Sequence, residues 1–107
     1  MEQITPAQLQ QWLADAARPA PVLLDVRETW EAQICALAAS IHMPMNSVPA
    51  RHEELEPAAP TVVICHHGVR SAQVGAFLER QGFDTVINLA GGMHAWAVEV
   101  DLTMQTY

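Results

Sequence analysis

The seven residues CHHGVRS, positions 65–71, follow directly on the apolar run TVVI. That run has the β-branched, uninterrupted character of a strand buried on both faces. The stretch SAQVGAFLERQG, residues 71–82, has the composition of a helix. Cys65 therefore stands where a strand ends and a short polar loop must turn into a helix. The position suits a nucleophile. Gly68 lets the loop fold tightly, and successive backbone N–H groups of such a loop can converge as an anion nest. The helix beginning near Ser71 presents its positive end, and Arg70 adds a permanent charge. Each of these stabilises a negative sulfur, and the thiolate is the reactive form of cysteine. The same cradle would hold a second negative sulfur or an oxyanion, with His66 and His67 as further donors to an anionic substrate. A cysteine at the end of a buried strand is also a common packing residue. The polar loop and the arginine are what favour chemistry at this one.

Periodicity and punctuation give the elements that must position the loop. A short strand is expected at Ile4. Residues 5–17 form a helix: Thr5 is a good N-cap, Pro6 suits the first helical position, Gln8 completes a capping box, and Leu9, Trp12 and Leu13 share a face. VLLDV (22–26) reads as a parallel strand buried on both faces. Residues 29–37 read as a short helix capped by Thr29, with Cys35 a buried, inert thiol beside Ile34 and Leu37. A brief strand at 41–43 stops at Pro44. Residues 47–56 read as a third helix capped by Ser47, with Glu53, Glu54 and Glu56 on a solvated face. TVVIC (61–65) is the clearest strand, and Gly82 closes the helix over 71–82. TVINL (85–89) is another strand, GGMHAW (91–96) a turn and short helix, and 98–107 a tail with one edge strand. Trp12, Trp30 and Trp96 are expected in the core.

Strands alternate with helices throughout. The pattern predicts an α/β fold, a mostly parallel sheet with helices on both faces, formed by one domain over residues 1–107. Ligands of such sheets bind outside the carboxyl ends of the strands. Three polar strand ends qualify: Asp25-Val26-Arg27, Cys65, and Asn88 ahead of Gly91 and Gly92. Asp25 and Arg27 are expected as supporting residues that organise neighbouring loops. Arg70 either touches substrate or braces the loop against a carboxylate such as Asp25. Gly91 and Gly92 are expected to allow close backbone approach.

Composition narrows the partners. Half of the residues are hydrophobic and 16% are charged, which provides a core rather than disorder. A net charge of −7 argues against nucleic acid, and it obliges any small anionic substrate to rely on local donors. No apolar stretch approaches the ~20 residues of a membrane span. The first ten residues are acidic and polar, so neither signal peptide nor membrane contact is expected, and the cytoplasm is the default location. There, Cys35 and Cys65 are not expected to form a disulfide. No CxxC or zinc-finger spacing occurs, and the adjacent His66 and His67 side chains are expected to diverge. Neither a metal nor an organic cofactor is expected.

Three segments in order resemble the single-domain form of the rhodanese family: LLDVRETWE (23–31) its first signature, CHHGVRS its active-site loop, and GFDTVINLAGGMHAW (82–96) its closing signature. The resemblance covers nearly the whole chain. It implies an α/β fold around a parallel five-stranded sheet. It also implies sulfur transfer through a persulfide on the loop cysteine, Cys65. Sulfane sulfur from thiosulfate or a similar donor would pass to a thiophilic acceptor: cyanide in an assay, a thiol or protein cysteine in the cell. His66, His67, Gly68, Val69, Arg70 and Ser71 would form the substrate-binding loop. Two departures stand out. ICALAASIHMP (34–44) replaces a segment that usually carries a histidine or glycine, which predicts a local packing change. The paired histidines stand where many relatives carry small, aromatic or basic residues, which leaves substrate preference open. Two other readings remain: a non-catalytic sulfur-carrier or binding domain, and a cysteine-based phosphatase. Phosphatases of that type carry one more residue between Cys and Arg. The smaller cradle of this loop suits sulfur better than a tetrahedral phosphate.

Overall fold

The computed structural model describes residues 1–107. Its strands are β1 (Glu2–Ile4), β2 (Val22–Asp25), β3 (Ile41–His42), β4 (Thr61–Ile64) and β5 (Val86–Leu89). They pair in parallel in the order β1-β5-β4-β2-β3. The helices are α1 (Pro6–Ala14), α2 (Thr29–Ile34), α3 (Val48–Arg51), α4 (Val69–Arg80) and α5 (Gly92–Glu99). None is long and apolar enough to cross a membrane. β4 is the central strand and is buried along its whole length, which is why TVVI shows no polar alternation.

Alternate strand residues face two cores. Leu24, Val63, Cys65 and Val86 belong with Val48 of α3 and with Val74 and Leu78 of α4. Leu23, Val62, Ile64, Ile87 and Leu89 belong with Leu9 and Trp12 of α1 and with Met93 and Trp96 of α5. Burying each such side chain contributes roughly 1.5–3 kcal/mol. The strand order also creates a crevice. From β2 the chain moves outward to β3, whereas from β4 it moves the other way to β5. The connections leaving these two neighbours therefore part at their carboxyl ends, the place where open α/β sheets bind ligands. Cys65 follows β4 at that point.

The helix starting at Pro6 has the expected capping box: Thr5 Oγ1 accepts from the Gln8 amide at 3.1 Å, and Gln8 Oε1 accepts from the Thr5 amide at 2.9 Å. It stops at Ala14 and leaves Leu13 38% exposed. Other expectations are corrected. The third helix is broken, with 3-10 turns at Met45–Ser47 and His52–Glu54 around the four-residue α3. Ser47 does not cap it, because its hydroxyl donates to the Pro44 carbonyl at 2.6 Å. The N-cap of α2 is Glu28 rather than Thr29, and the Glu28 amide donates to Glu31 Oε1 at 3.0 Å. α4 begins at Val69, two residues ahead of Ser71. The tail makes no strand. α5 runs on to Glu99, and residues 101–107 form turns and irregular chain. Trp30 is not core: α2 turns Glu31 inward, and Trp30 stays 58% exposed with its ring edge-on to Tyr107 at 5.6 Å.

The glycine pair ahead of α5 fulfils the expectation of close approach. Gly91 and Gly92 are left-handed, with φ of 73° and 62°. A Cβ on Gly92 would overlap the carbonyl oxygens of Cys65 and His66. Those carbonyls instead accept hydrogen bonds from the amides of Met93 (2.8 Å) and His94 (3.1 Å). Gly82 is also left-handed, at φ 90°, but a Cβ there would meet nothing within 4 Å. Gly92→Ala is therefore expected to destabilise the protein by on the order of 3 kcal/mol, backbone strain plus overlap. Gly82→Ala should cost about 1 kcal/mol. Urea denaturation of both variants checks the contrast.

Candidate active site

The strand-to-helix turn after Cys65 depends on Gly68, the N-cap of α4, at φ 101°. A Cβ there would make only ordinary contacts, so conformation rather than space calls for glycine. The turn brings the Gly68 amide back onto the cysteine, where it donates to Cys65 Sγ at 3.0 Å. Ser71, in the first turn of α4, lies with Oγ 3.3 Å from Sγ. Its hydroxyl donates to Asn88 Oδ1 in a short hydrogen bond. Asn88 Nδ2 in turn donates to the Gly68 carbonyl at 3.2 Å and to Gln3 Oε1 at 3.0 Å. The polar residue at the end of β5 thus fixes both the loop and the serine. Cys65 itself is 1% exposed.

Arg70 braces the loop, but not on Asp25. Its guanidinium binds Glu31 of α2 in a fork, at 2.6 Å to Oε1 and 2.8 Å to Oε2. Asp25 is already engaged by Arg27, through Nε at 2.9 Å and Nη2 at 2.7 Å. Arg27 is completely buried. It also donates to the carbonyls of Cys35 (2.6 Å) and Glu31 (3.3 Å) and to the Tyr107 hydroxyl (3.1 Å). That hydroxyl donates to Glu31 Oε2 at 2.8 Å. A continuous network therefore runs from β2 through the tail and α2 to the first turn of α4. Burial, and donation of its proton to Glu31, push the Tyr107 phenol up to about 12.

The expected site residues separate into groups. Cys65, Gly68 and Ser71 meet at the sulfur. Arg70 reaches α2, and Asp25 and Arg27 support the neighbouring loop from behind. Val69 is 67% exposed at the start of α4. His66 and His67 do not diverge, because they sit on a loop rather than a regular element, and their ring centroids are 4.0 Å apart. Cys35 is not buried as expected: α2 stops at Ile34, so Cys35 is its C-cap in extended conformation and only partly covered. Four residues of this region were not legible as site residues: Glu31, Tyr107, His94 and Gln3. Glu31 had a signal, since two arginines beside a strand end need two carboxylates. Tyr107 had none, because no periodicity or spacing connects the tail to residues 76 and 80 positions earlier.

The arrangement is suited to a negatively charged atom at the position of Cys65 Sγ. It offers an amide donor, a hydroxyl, the free N–H groups that begin a helix, and a cation held nearby by a buried carboxylate. The Arg70 guanidinium holds the Glu31 carboxyl far below the usual range, at about 2, against the opposing effect of burial. A carboxyl depressed in the folded state stabilises the fold above its ordinary value of 4.5, and that stability is lost as pH falls toward 2. Arg70 is a third exposed, so solvent screens the pair, and its contribution is on the order of 2 kcal/mol. Glu31→Gln should lower stability at pH 7 and flatten its decline between pH 5 and pH 2. Urea titrations across that range measure both.

Residues 5–99 match the model of the Rhodanese-like domain. A "Sulfurtransferase" of Allochromatium vinosum is 34% identical over 91% of this chain and 89% of its own length. A "Thiosulfate sulfurtransferase GlpE" of Actinobacillus succinogenes is 32% identical over 79% of this chain and 76% of its own. The chain also matches the larger "Rhodanese-like/PpiC domain-containing protein 12, chloroplastic" of Arabidopsis thaliana at 37% identity, but spans only 30% of that protein. Among solved structures, a rhodanese-related protein from Thermoplasma volcanium superimposes with a TM-score of 0.84 at 31% identity, covering 94% of each chain. The parallel five-stranded sheet, the cradle after β4 and these likenesses agree, and the chain belongs to the rhodanese-like domain family, which it shares with proteins named sulfurtransferases.

Proposed function

We propose that the chain takes a sulfane sulfur from thiosulfate, or a donor of the same type, onto Cys65 as a persulfide and passes it to a thiophilic acceptor. The observation that carries this reading is the Gly68 amide aimed at Cys65 Sγ from the start of α4. The Cys65 thiolate attacks the outer sulfur of thiosulfate, the donor's S–S bond breaks, and sulfite leaves with the electron pair. The negative charge then lies on the outer sulfur of the persulfide, within reach of loop amides and the positive end of the helix. Ser71 adapts to both states. With its proton on Asn88 it accepts from the thiol, and by rotating it donates to a negative sulfur. Cyanide, or a thiol such as a protein cysteine, then attacks the outer sulfur and releases the thiolate. The relative named for thiosulfate supports the donor class.

Brief incubation with thiosulfate should add the mass of one sulfur atom to the peptide containing Cys65, and cyanide should remove it. Cys65→Ser should abolish the adduct and thiocyanate formation, whereas Cys35→Ser should keep most of both. Intact-protein mass spectrometry with peptide mapping decides this. Thiocyanate formation with Cys65 unmodified throughout would overturn the covalent route.

In Arg70→Ala the buried Glu31 loses its partner and the loop its brace, so sulfur loading should slow by roughly tenfold to a hundredfold, the equivalent of one charge-assisted hydrogen bond. Aryl phosphate should not be hydrolysed, because the loop has one residue fewer than a phosphate cradle. Efficient release of the phenol by the unmodified protein would replace sulfur transfer with phosphoryl chemistry.

A further inference from the structure

Three of the five histidines converge beside the nucleophile. His66 and His67 follow Cys65 on the loop, and His94 lies in the first turn of α5. Their ring centroids are separated by 4.0 Å (His66 to His67), 5.3 Å (His67 to His94) and 5.9 Å (His66 to His94). The backbone fixes the arrangement, since the His94 amide donates to the His66 carbonyl at 3.1 Å. His67 and His94 are exposed to solvent, and His66 is half-buried with Nδ1 enclosed and without a hydrogen-bond partner. No group of His, Cys, Asp and Glu side chains has the geometry to hold a metal ion. Three imidazoles from two elements thus lie together beside the loop.

We infer that His94, together with His66 and His67, recognises the oxyanion end of the sulfur donor, the part that leaves as sulfite. The inference rests on Cys65 being the sulfur-accepting nucleophile. The surrounding charges favour it. Arg70 approaches from α4, Glu31 from α2 and the Tyr107 phenol from the tail, with Arg27 behind the phenol. Glu31 is the carboxylate that influences His66, but its oxygens already serve Arg70, the Glu28 amide and Tyr107. Glu31 is therefore not free to act as a fixed counter-ion to a His66 imidazolium. Burial, and then the neighbouring His67, hold His66 below the ordinary imidazole value, with His94 and Arg70 acting in the same direction and Glu31 against them. The His66 imidazole is thus disfavoured from carrying a proton until an anion arrives. A donor with two negative charges supplies the missing counter-ion, so its binding draws a proton onto the cluster. When the S–S bond breaks and its electron pair goes to sulfite, the same imidazolium faces the departing charge. The device also answers the net charge of −7, which would otherwise repel such a donor.

Two measurements test this. In the Cys65→Ser protein, which lacks the nucleophile, thiosulfate is titrated while the imidazole resonances are followed by NMR from pH 5.5 to 8.5. The midpoints of His66, His67 and His94 should rise, and those of His42 and His52 should not. In the intact protein, His94→Gln should raise the KM for thiosulfate about fivefold, the size of one partly screened charge interaction. It should raise the KM for methanethiosulfonate, which carries one negative charge, clearly less. The fall of thiosulfate KM between pH 8 and pH 6 should flatten in the variant. Equal losses for both donors, or unmoved cluster midpoints with bound thiosulfate, would overturn the inference while leaving sulfur loading of Cys65 intact. Moved midpoints without sulfur added from any donor would uphold the anion site and overturn the transfer chemistry instead.

Discussion

A guanidinium with no solvent exposure must be answered completely by its surroundings, and Arg27 is such a group. Left without a partner, a buried charge costs several kcal/mol. Its hydrogen bonds go to both oxygens of Asp25, to the carbonyls of Glu31 and Cys35, and to the Tyr107 hydroxyl. These partners lie in β2, within α2 and at its C-cap, and in the tail, so one side chain sets where three segments sit. The Arg27 carbonyl also pairs with His42 of β3 at 2.8 Å. The constraint propagates. With Asp25 consumed, the cation of the active-site loop has to find another carboxylate, and Glu31 is the one that the Arg27 bonds hold in place. The position of the arginine nearest the nucleophile is thus decided on a neighbouring strand.

The same economy explains how a strongly acidic protein keeps an anion-friendly site. Glu31 and Asp25, the carboxylates nearest the crevice, are each neutralised by an arginine. What remains facing the sulfur is the Gly68 amide, the Ser71 hydroxyl and the start of a helix. The parting of the connections after β2 and β4 provides the space, and the closing glycines let α5 clamp the loop carbonyls so that the amides keep their aim.

Much of this was legible in the chain. The buried strand ahead of Cys65, the capped first helix and the paired glycines each follow from rules that act over a few residues. The cradle was legible for the same reason, since residues 65–71 are contiguous. What stayed hidden depends on distant partners. Ser47 has the type of a cap but prefers the Pro44 carbonyl. Trp30 has the type of a core residue but is displaced outward because its neighbour Glu31 carries the inward charge. The tail offers no pattern at all: it docks through Met104 against the core and through the Tyr107 phenol, which meets an arginine and a glutamate. His94 read as an ordinary position in a helix, and only the crossing of α5 over the loop gives it two imidazole neighbours.

The outer strands of the sheet have a different consequence. β3 contains two residues and β1 three. A strand that short presents too few free amides and carbonyls to template another chain. Between them lies β4, whose β-branched, uncharged run is the kind of segment that stacks into fibrils when exposed. The folded molecule keeps that run two strands away from either edge. Its hazard is therefore confined to the time before the sheet is complete, so aggregation of this protein should follow its folding kinetics rather than its native concentration.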